Sequence, residues 1–298
     1  MSLFVLQGAV EQGFIYSLVA LALYLSFRTL DIADLTTDGT FTLGAACSAI
    51  MTVQGHPWAG LGLALLLGAA AGLVTALLQT KLGVQPILAG IITMTGLYTI
   101  NLLVMGGRSN LNMLQEENVF TAAQAALGSL GTPLLAFLFA AGAGLLLTLF
   151  LRTQLGLSIR ATGDNRQMVA ASSINPAVTT AVGLCLANAM TALSGALLAQ
   201  YQKFSDVSLG TGMVVIGLAS LIIGEVVLGR GGVFRGAAAA LLGAVIYRII
   251  IAAALTANVN AQYFKLVSAV IVAGAISYPA VAERVRFHQK RKEAERNG

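Results

Sequence analysis

The chain has 298 residues, of which 57% are hydrophobic and only 10% are charged, and its formal net charge is +5. Its mean hydropathy is +0.84. Soluble domains carry about 25% charged residues, so the composition excludes an ordinary soluble domain and predicts one polytopic membrane domain. The positive charge does not indicate nucleic-acid binding, because the basic residues fall between the apolar runs, where topology signals lie.

A helix that crosses the hydrocarbon core of a bilayer, about 30 Å thick, needs roughly 20 apolar residues. We expect an all-α membrane domain over 1–281 and a basic tail over 282–298. A further apolar run, 41–53, is too short to cross comfortably alone, so eight or nine transmembrane helices are predicted. The predicted spans are 8–27, 59–80, 86–105, 133–151, 177–200, 212–228, 237–257 and 265–281.

The segment after the first span, "RTLDIADLTTDGT", holds three acids followed by threonines and a glycine. This composition disfavours a continuous helix and predicts a discontinuous one that resumes near residue 41. Non-helical backbone at membrane depth is tolerated only inside protein or beside a watery cavity. One hypothesis is that the break lines a translocation path; a cytoplasmic turn that begins at Arg28 is the equal alternative. The path candidates here are Asp34, Thr37, Asp38 and Thr40.

The basic residues set the orientation, because Lys and Arg are in excess on the cytoplasmic side of membrane proteins. With the tail in the cytoplasm, and if 41–53 crosses, thirteen of the 17 Lys and Arg lie on that side. We therefore predict a multi-pass membrane protein with a cytoplasmic C-terminus. The side of the N-terminus depends on whether 41–53 crosses.

In this orientation the polar stretch "RTQLGLSIRATGDNRQMVAASSINP", residues 152–176, is cytoplasmic. Asp164 or Thr162 can cap a helix that starts near Asn165, and Pro176 opens the next span. The pattern predicts a short helix across the membrane surface. It does not decide whether that helix rests on lipid headgroups or docks a cytoplasmic partner.

Polar residues also occur in the second half of the chain. Asn188, Thr191 and Ser194 have the spacing that most often joins membrane helices, and Thr93, Thr95 and Asn101 are interpreted the same way. The intramembrane Arg248 is interpreted as a structural partner of an acid such as Glu225. Three second-half residues are added to the candidate translocation path: Asn188, Ser205 and Asp206.

Residues 155–175, "LGLSIRATGDNRQMVAASSIN", resemble the cytoplasmic coupling segment of ABC importer permeases in the branched-chain amino-acid and ribose permease superfamily. One difference is Ser173, where the family has glycine before Ile-Asn. "GEVVLGRGGVFRGAAAALLGA" resembles a Gly-rich turn of the same family, and "LDIADLTTDGTFTLGAA" resembles the subgroup of tryptophan- and tyrosine-type permeases. The coupling motif matches at Gly156, Arg160, Ala161, Gly163, Asn165, Ile174 and Asn175, and Asp164 and Met168 lie within it.

The resemblance implies a fold similar to type II ABC importer permeases and a defined set of partners. These are a cytoplasmic ABC ATPase subunit, a second copy of the permease in a homodimer, an extracytoplasmic solute-binding protein and the lipid bilayer of a bacterial plasma membrane. The solute would be small, most simply an amino acid, with an aromatic one possible. The chain has no G-x-x-x-x-G-K-[ST] loop, so ATP and Mg²⁺ are expected on the partner, with no catalytic residue, metal site or cofactor here.

Two other classes of function remain to be weighed. A secondary transporter or channel driven by an ion gradient would need intramembrane acids, for which Asp31, Asp34 and Asp38 are the available cluster. An intramembrane enzyme is disfavoured, because His56 and His288 fall in loops on opposite sides of the predicted membrane.

Overall fold

A computed structural model describes residues 3–229, 231–256, 270 and 273–274. Apart from residues 270 and 273–274, the predicted span 265–281 lies outside the described residues, as do the tail 282–298 and the basic residues beyond 256. In the described part the chain is an assembly of helices with one pair of short strands. The helices are α1 (Leu3–Leu23), α2 (Thr36–Val53), α3 (Pro57–Thr80), α4 (Pro86–Val104), α5 (Val119–Leu127), α6 (Gly131–Phe150), α7 (Gln154–Asp164), α8 (Arg166–Ala171), α9 (Pro176–Gln202), α10 (Met213–Leu228) and α11 (Val233–Thr256).

Six described helical segments are long and apolar enough to cross a membrane: Phe4–Thr29, Pro57–Thr80, Pro86–Val104, Val119–Phe150, Pro176–Gln202 and Val233–Thr256. They coincide with six of the eight predicted spans. A further predicted span, 212–228, corresponds to α10, an apolar helix that is shorter than these six. A multi-pass membrane protein is thus confirmed, whereas a full count of eight or nine depends on residues beyond 256.

The central helix α9 fixes the direction of its neighbours. Ser194 donates a hydrogen bond to the carbonyl oxygen of Ile15 on α1, and Tyr201 donates to Glu11 nearer the start of α1. These pairings make α1 antiparallel to α9, so the N-terminus lies at the end of the molecule opposite residues 152–176. We call the end that carries 152–176 the coupling end, and the other the far end.

The apolar run 41–53 belongs to α2, which runs alongside α9. Helix α1 continues as a π-helix over Tyr24–Thr29, and non-helical backbone then leads to α2. Leu30 lies against Gly183 and Gln200 hydrogen-bonds Ser48, so residues 30–53 follow α9 over a rise of about 26 Å. The predicted break is therefore confirmed, and α2 starts five residues earlier than the predicted run because Thr36 to Thr40 already have helical backbone.

The buried side chain of Asp34 stabilises the helix break before α2 through hydrogen bonds. This side chain is 1% exposed. Its Oδ1 accepts a hydrogen bond of 2.9 Å from the Thr36 amide, and its Oδ2 accepts one of 2.6 Å from Asn188 Nδ2 on α9. Asn188 Oδ1 in turn accepts 2.9 Å from the Thr40 hydroxyl, and the Thr37 hydroxyl donates to the Asp34 carbonyl oxygen. We call these five residues the Asp34 cluster.

A line of hydroxyl groups extends the Asp34 cluster across the helices. The Thr36 hydroxyl lies 2.7 Å from that of Thr75 on α3, which donates over 2.9 Å to Thr93 on α4. All three side chains are buried. Buried hydroxyl groups need partners, because an unpaired one costs free energy in a medium without water. The helix break is thereby joined to α3, α4 and α9.

Close backbone contact packs α2 against α9. A Cβ on Gly44 would lie 1.9 Å from the carbonyl oxygen of Ala192, and one on Gly195 would lie 1.9 Å from that of Phe41. Helices without side chains at the contact approach closely, which strengthens dispersion contacts in a membrane, where little hydrophobic force is available between helices.

Replacement of Gly44 by alanine should destabilise the protein, since α2 and α9 must separate to admit the methyl group. We expect a loss of about 1–3 kcal/mol, typical of an overpacked core. The measurement is the midpoint of thermal aggregation of the detergent-solubilised protein. The matched control is Gly142→Ala on α6, where a Cβ meets open space; an equal loss in both variants contradicts the packing argument.

Replacement of Asp34 by alanine should also destabilise the protein, because the Thr36 amide and the Asn188 amide group lose their acceptor while buried. The expected cost is about 1–3 kcal/mol or more. The same thermal assay applies, with Asp31→Ala as control, since Asp31 is an exposed acid of the same segment. A stable Asp34→Ala protein would contradict the proposed role of the cluster in holding the break.

Candidate translocation and coupling sites

The stretch 152–176 folds as two helices rather than one. Helix α8 starts after Asn165, as predicted, but the capping residue is Asn165 itself, whose Oδ1 accepts from the Met168 amide over 3.0 Å. The predicted caps have other roles: Asp164 ends α7, and the Thr162 hydroxyl donates to the Ser158 carbonyl oxygen and lies 2.8 Å from the Thr179 hydroxyl on α9. Helix α7 was missed because two glycines lower its helix propensity.

The predicted coupling residues divide into an exposed set and a packed set. Gly156 is buried, and Ala161, Gly163 and Ile174 are half-buried. A Cβ on Gly163 would lie 2.0 Å from the carbonyl oxygen of Thr29, so α7 packs directly on the π-helical end of α1. The exposed set consists of Arg160, Asp164, Asn165, Met168 and Asn175.

The glycine that the resembled family has before Ile-Asn would suit the backbone at Ser173. This residue has φ of +61°, the left-handed conformation that glycine adopts without steric cost. Asn175 then caps α9 by accepting from the Ala177 amide, with Pro176 as the first helical residue, as predicted.

An ion pair joins two helices at the coupling end. Arg28, in the π-helix, donates to both carboxylate oxygens of Glu225 on α10, over 2.7 and 2.6 Å. The bidentate geometry makes this pair stronger and more directional than a single contact. Both side chains line a surface cleft that Arg160 and Asp164 also line, so the ends of α1, α7 and α10 meet there.

A second cavity lies nearer the far end, between α2, α4 and the segment that precedes α10. It has a volume of about 290 Å³ and opens to the protein surface. We call it the α2–α4 cavity. Its walls are Asp38, Gly39, Thr42, Met94, Thr95, Tyr98, Asn101, Val207 and Thr211.

Asp38 forms both a wall of this cavity and the cap of α10. Its Oδ2 accepts from the Gly212 amide over 2.8 Å, and its Oδ1 accepts from the Val214 amide over 2.9 Å. A carboxylate at a helix N-terminus satisfies free amides and interacts favourably with the helix dipole. Helix α10 is thus bound to α2 by Asp38 at its start and to α1 by Arg28 near its end.

The predicted path residues separate into three places. Asp34, Thr37, Thr40 and Asn188 form the buried Asp34 cluster, and Asp38 alone lines the cavity. Ser205 and Asp206 lie in a strand, β2 (Phe204–Asp206), which pairs antiparallel with β1 (Asn110–Asn112) beyond the end of α9. The strand leads through Val207 to the cavity wall.

The sequence interpretation of α4 needs correction. Thr93 and Asn101 do join helices, as predicted, and Asn101 also lines the cavity; Thr95, which was interpreted in the same way, lines the cavity and hydrogen-bonds only within α4. Tyr98 and Met94 were not considered. Their spacing of three and four residues, Met94, Tyr98 and Asn101, is the signal that puts them on one helix face.

Arg248 is a structural partner, although not of Glu225. It hydrogen-bonds Gln12 on α1, and its guanidinium group lies 4.2 Å from the centre of the Tyr16 ring. Glu225 lies at the coupling end, whereas Gln12 lies near the far end, so the predicted pair was wrong.

Comparison with known proteins agrees with this architecture. The sequence profile of a family described as the permease component of branched-chain amino acid transport systems matches residues 5–276. A tyrosine transport system permease protein of Clostridioides difficile (strain R20291) is 35% identical over 266 residues, which is 89% of this chain and 88% of the relative.

An uncharacterised protein of Rickettsia prowazekii (strain Madrid E) is 31% identical over 221 residues, 74% of this chain and 77% of the relative. No solved structure matches the chain. The profile covers the early break, the residues of the α2–α4 cavity and the coupling helices. The chain therefore belongs to the permease family of branched-chain amino acid transport systems, as a multi-pass membrane component.

Proposed function

We propose that this chain is the membrane-spanning subunit of an ATP-driven ABC importer for an amino acid with an aromatic side chain. The observation that carries the proposal is the exposed face of α7 and α8, which stands on the end of α1 and presents polar and charged side chains away from the membrane helices. A cytoplasmic ABC ATPase subunit would bind this face, and ATP and Mg²⁺ would reside on that partner.

A continuous set of contacts connects this docking face to the α2–α4 cavity. Displacement of α7 acts on Thr29 through Gly163, and the adjacent Arg28 is bound to α10. Helix α10 begins at the Asp38 cap in the wall of the α2–α4 cavity. A movement imposed at the coupling end would therefore reach the cavity along a continuous set of contacts.

The cavity is the proposed translocation path. It opens on a face of α4 that carries exposed apolar side chains among polar ones, including Tyr98 at 55% exposed. A second copy of the chain that packs near this face would enclose the path between two subunits. An extracytoplasmic solute-binding protein would then deliver the solute at the far end, with the coupling end and the C-terminus in the cytoplasm of a bacterial cell.

The proposed substrate rests on the relative of Clostridioides difficile, which is named for tyrosine transport. An aromatic ring in the cavity wall suits an aromatic solute, since ring pairs add a favourable term to apolar burial. The alternative of an ion-gradient-driven transporter has less support, because Asp34 is buried between α2 and α9, where it joins the two helices, and lines neither of the two cavities described above.

Reversal of the charge at Arg160 should uncouple ATP hydrolysis from transport, because Arg160 is exposed on the docking face. In proteoliposomes with the ATPase and the binding protein, we expect Arg160→Glu to reduce uptake of labelled tyrosine by about tenfold or more, the effect of one lost charged contact. Lys81→Glu, the same change in an exposed turn outside the coupling segment, is the control. Normal ATPase assembly and uptake with Arg160→Glu would refute the assignment.

The Arg28–Glu225 pair should be needed for transmission rather than for assembly. We expect Arg28→Glu to lower uptake while the ATPase still co-purifies, since the charge would repel Glu225. The exchanged pair, Arg28→Glu with Glu225→Arg, should recover part of the uptake, because it restores opposite charges. Equal loss in the single and the exchanged variants would show that the contact between these two residues is not the link.

A further inference from the structure

The α2–α4 cavity contains hydrogen-bond acceptors that the protein does not fully use. Asn101 is 1% exposed, and its Nδ2 donates to the Gly39 carbonyl oxygen over 3.2 Å. Its Oδ1 has no partner among the described residues. A buried acceptor without a donor costs free energy, which a bound donor would recover.

Asp38 supplies a second acceptor in the wall of the same cavity. Gly39 joins the two, since it follows Asp38 in the chain and accepts the hydrogen bond from Asn101. Each oxygen of the Asp38 carboxylate accepts one backbone amide, and a carboxylate offers about four acceptor positions, so capacity remains on the side that faces the cavity. Two further lining hydroxyl groups already donate: that of Thr42 to the Asp38 carbonyl oxygen and that of Thr95 to the Ile91 carbonyl oxygen.

The other residues that line the cavity restrict the kind of ligand that can bind there. None of the described lining residues is Lys, Arg or His, so the cavity offers an anion no cationic partner. The start of α10, which would otherwise attract an anion, is already occupied by Asp38. Met94, Tyr98 and Val207 supply apolar and aromatic surface next to the acceptors.

We infer that the α2–α4 cavity binds a primary ammonium group, held between the carboxylate of Asp38 and Oδ1 of Asn101. An ammonium group has three hydrogen-bond donors and a positive charge, so it can donate both to an unpaired amide oxygen and to a carboxylate in the same cavity wall. The identity of the ligand as an amino acid rests on the proposed function; the preference for a primary ammonium does not. In transport, the amino end of the solute faces α2 and its side chain lies along Tyr98.

The test measures the charge preference of the cavity with thiol reagents. In a Cys47→Ala, Cys185→Ala background, Thr95→Cys places a thiol in the wall, and the purified complex with its ATPase is treated with aminoethyl or methyl methanethiosulfonate. Ser129→Cys, in the exposed connection before α6, gives the intrinsic ratio of the two rates. We expect the ammonium reagent to be favoured in the cavity by about tenfold more than at Ser129→Cys, the order expected of one charge-assisted hydrogen bond.

Two variants test whether Asp38 and Asn101 cause the preference for the ammonium reagent. Asn101→Leu and Asp38→Asn should each remove most of this preference, while the neutral reagent still reacts. If Asp38→Asn fails to fold, Asn101→Leu still provides the test, because it leaves the Asp38 cap of α10 intact. Methylammonium should slow the labelling of Thr95→Cys, and acetate should not. A ratio equal to that at Ser129→Cys, protection by acetate, or no labelling in any nucleotide state would overturn the inference.

The same samples separate this inference from the proposed function. Ammonium preference without protection by tyrosine would support the site and count against an aromatic amino acid as the solute. ATP-dependent uptake of tyrosine without any ammonium preference would support the importer and overturn the site.

Discussion

The structure depends on one constraint: a chain that leaves helical geometry within a membrane must still satisfy its backbone and side-chain polar groups. Asp34 meets this constraint. One oxygen of its carboxylate accepts the amide that starts α2, and the other accepts Asn188 from the middle of α9. A charged or polar group at this depth is expensive unless paired, and here each oxygen has a donor. The position of α2, and with it the wall of the α2–α4 cavity, follows from this arrangement.

Helix α10 is the element that relates the two ends of the molecule. It is too short to count as a full span, and its ends are held by charged side chains of other helices, Asp38 and Arg28. Its flank packs on α11 at glycines, where a Cβ on Gly243 would lie 1.9 Å from the carbonyl oxygen of Ser220. A helix held in this way transmits displacement along its axis rather than absorbing it, because its ends are bonded and its side is in backbone contact.

Much of the architecture could be predicted from the sequence, because it follows from local signals. Apolar length predicted six spans, and the polar run after the first span predicted a helix break, although the break lies at 30–35 and the threonines and glycine after Asp34 are helical. Asn165 and Pro176 gave the boundaries of α8 and α9, although Asn165 acts as the cap itself.

The remainder depends on contacts between distant residues. Nothing near Glu225 indicates that its partner is Arg28, 197 positions away, rather than Arg248. Asn101 has the same local pattern as the packing residue Thr93, and only the position of α2 exposes one of them to a cavity. The family resemblance marked residues 155–175, but it did not show that Gly163 packs on Thr29 and Gly156 on the end of α6 while the polar residues face outward.

The glycine contacts between α2 and α9 have a mechanical consequence. With backbone atoms touching at Gly44 and Gly195, one helix cannot slide along the other without a collision with the next side chain. Helices α2 and α9 therefore move as one rigid body, and any conformational change among the described helices has its hinges elsewhere.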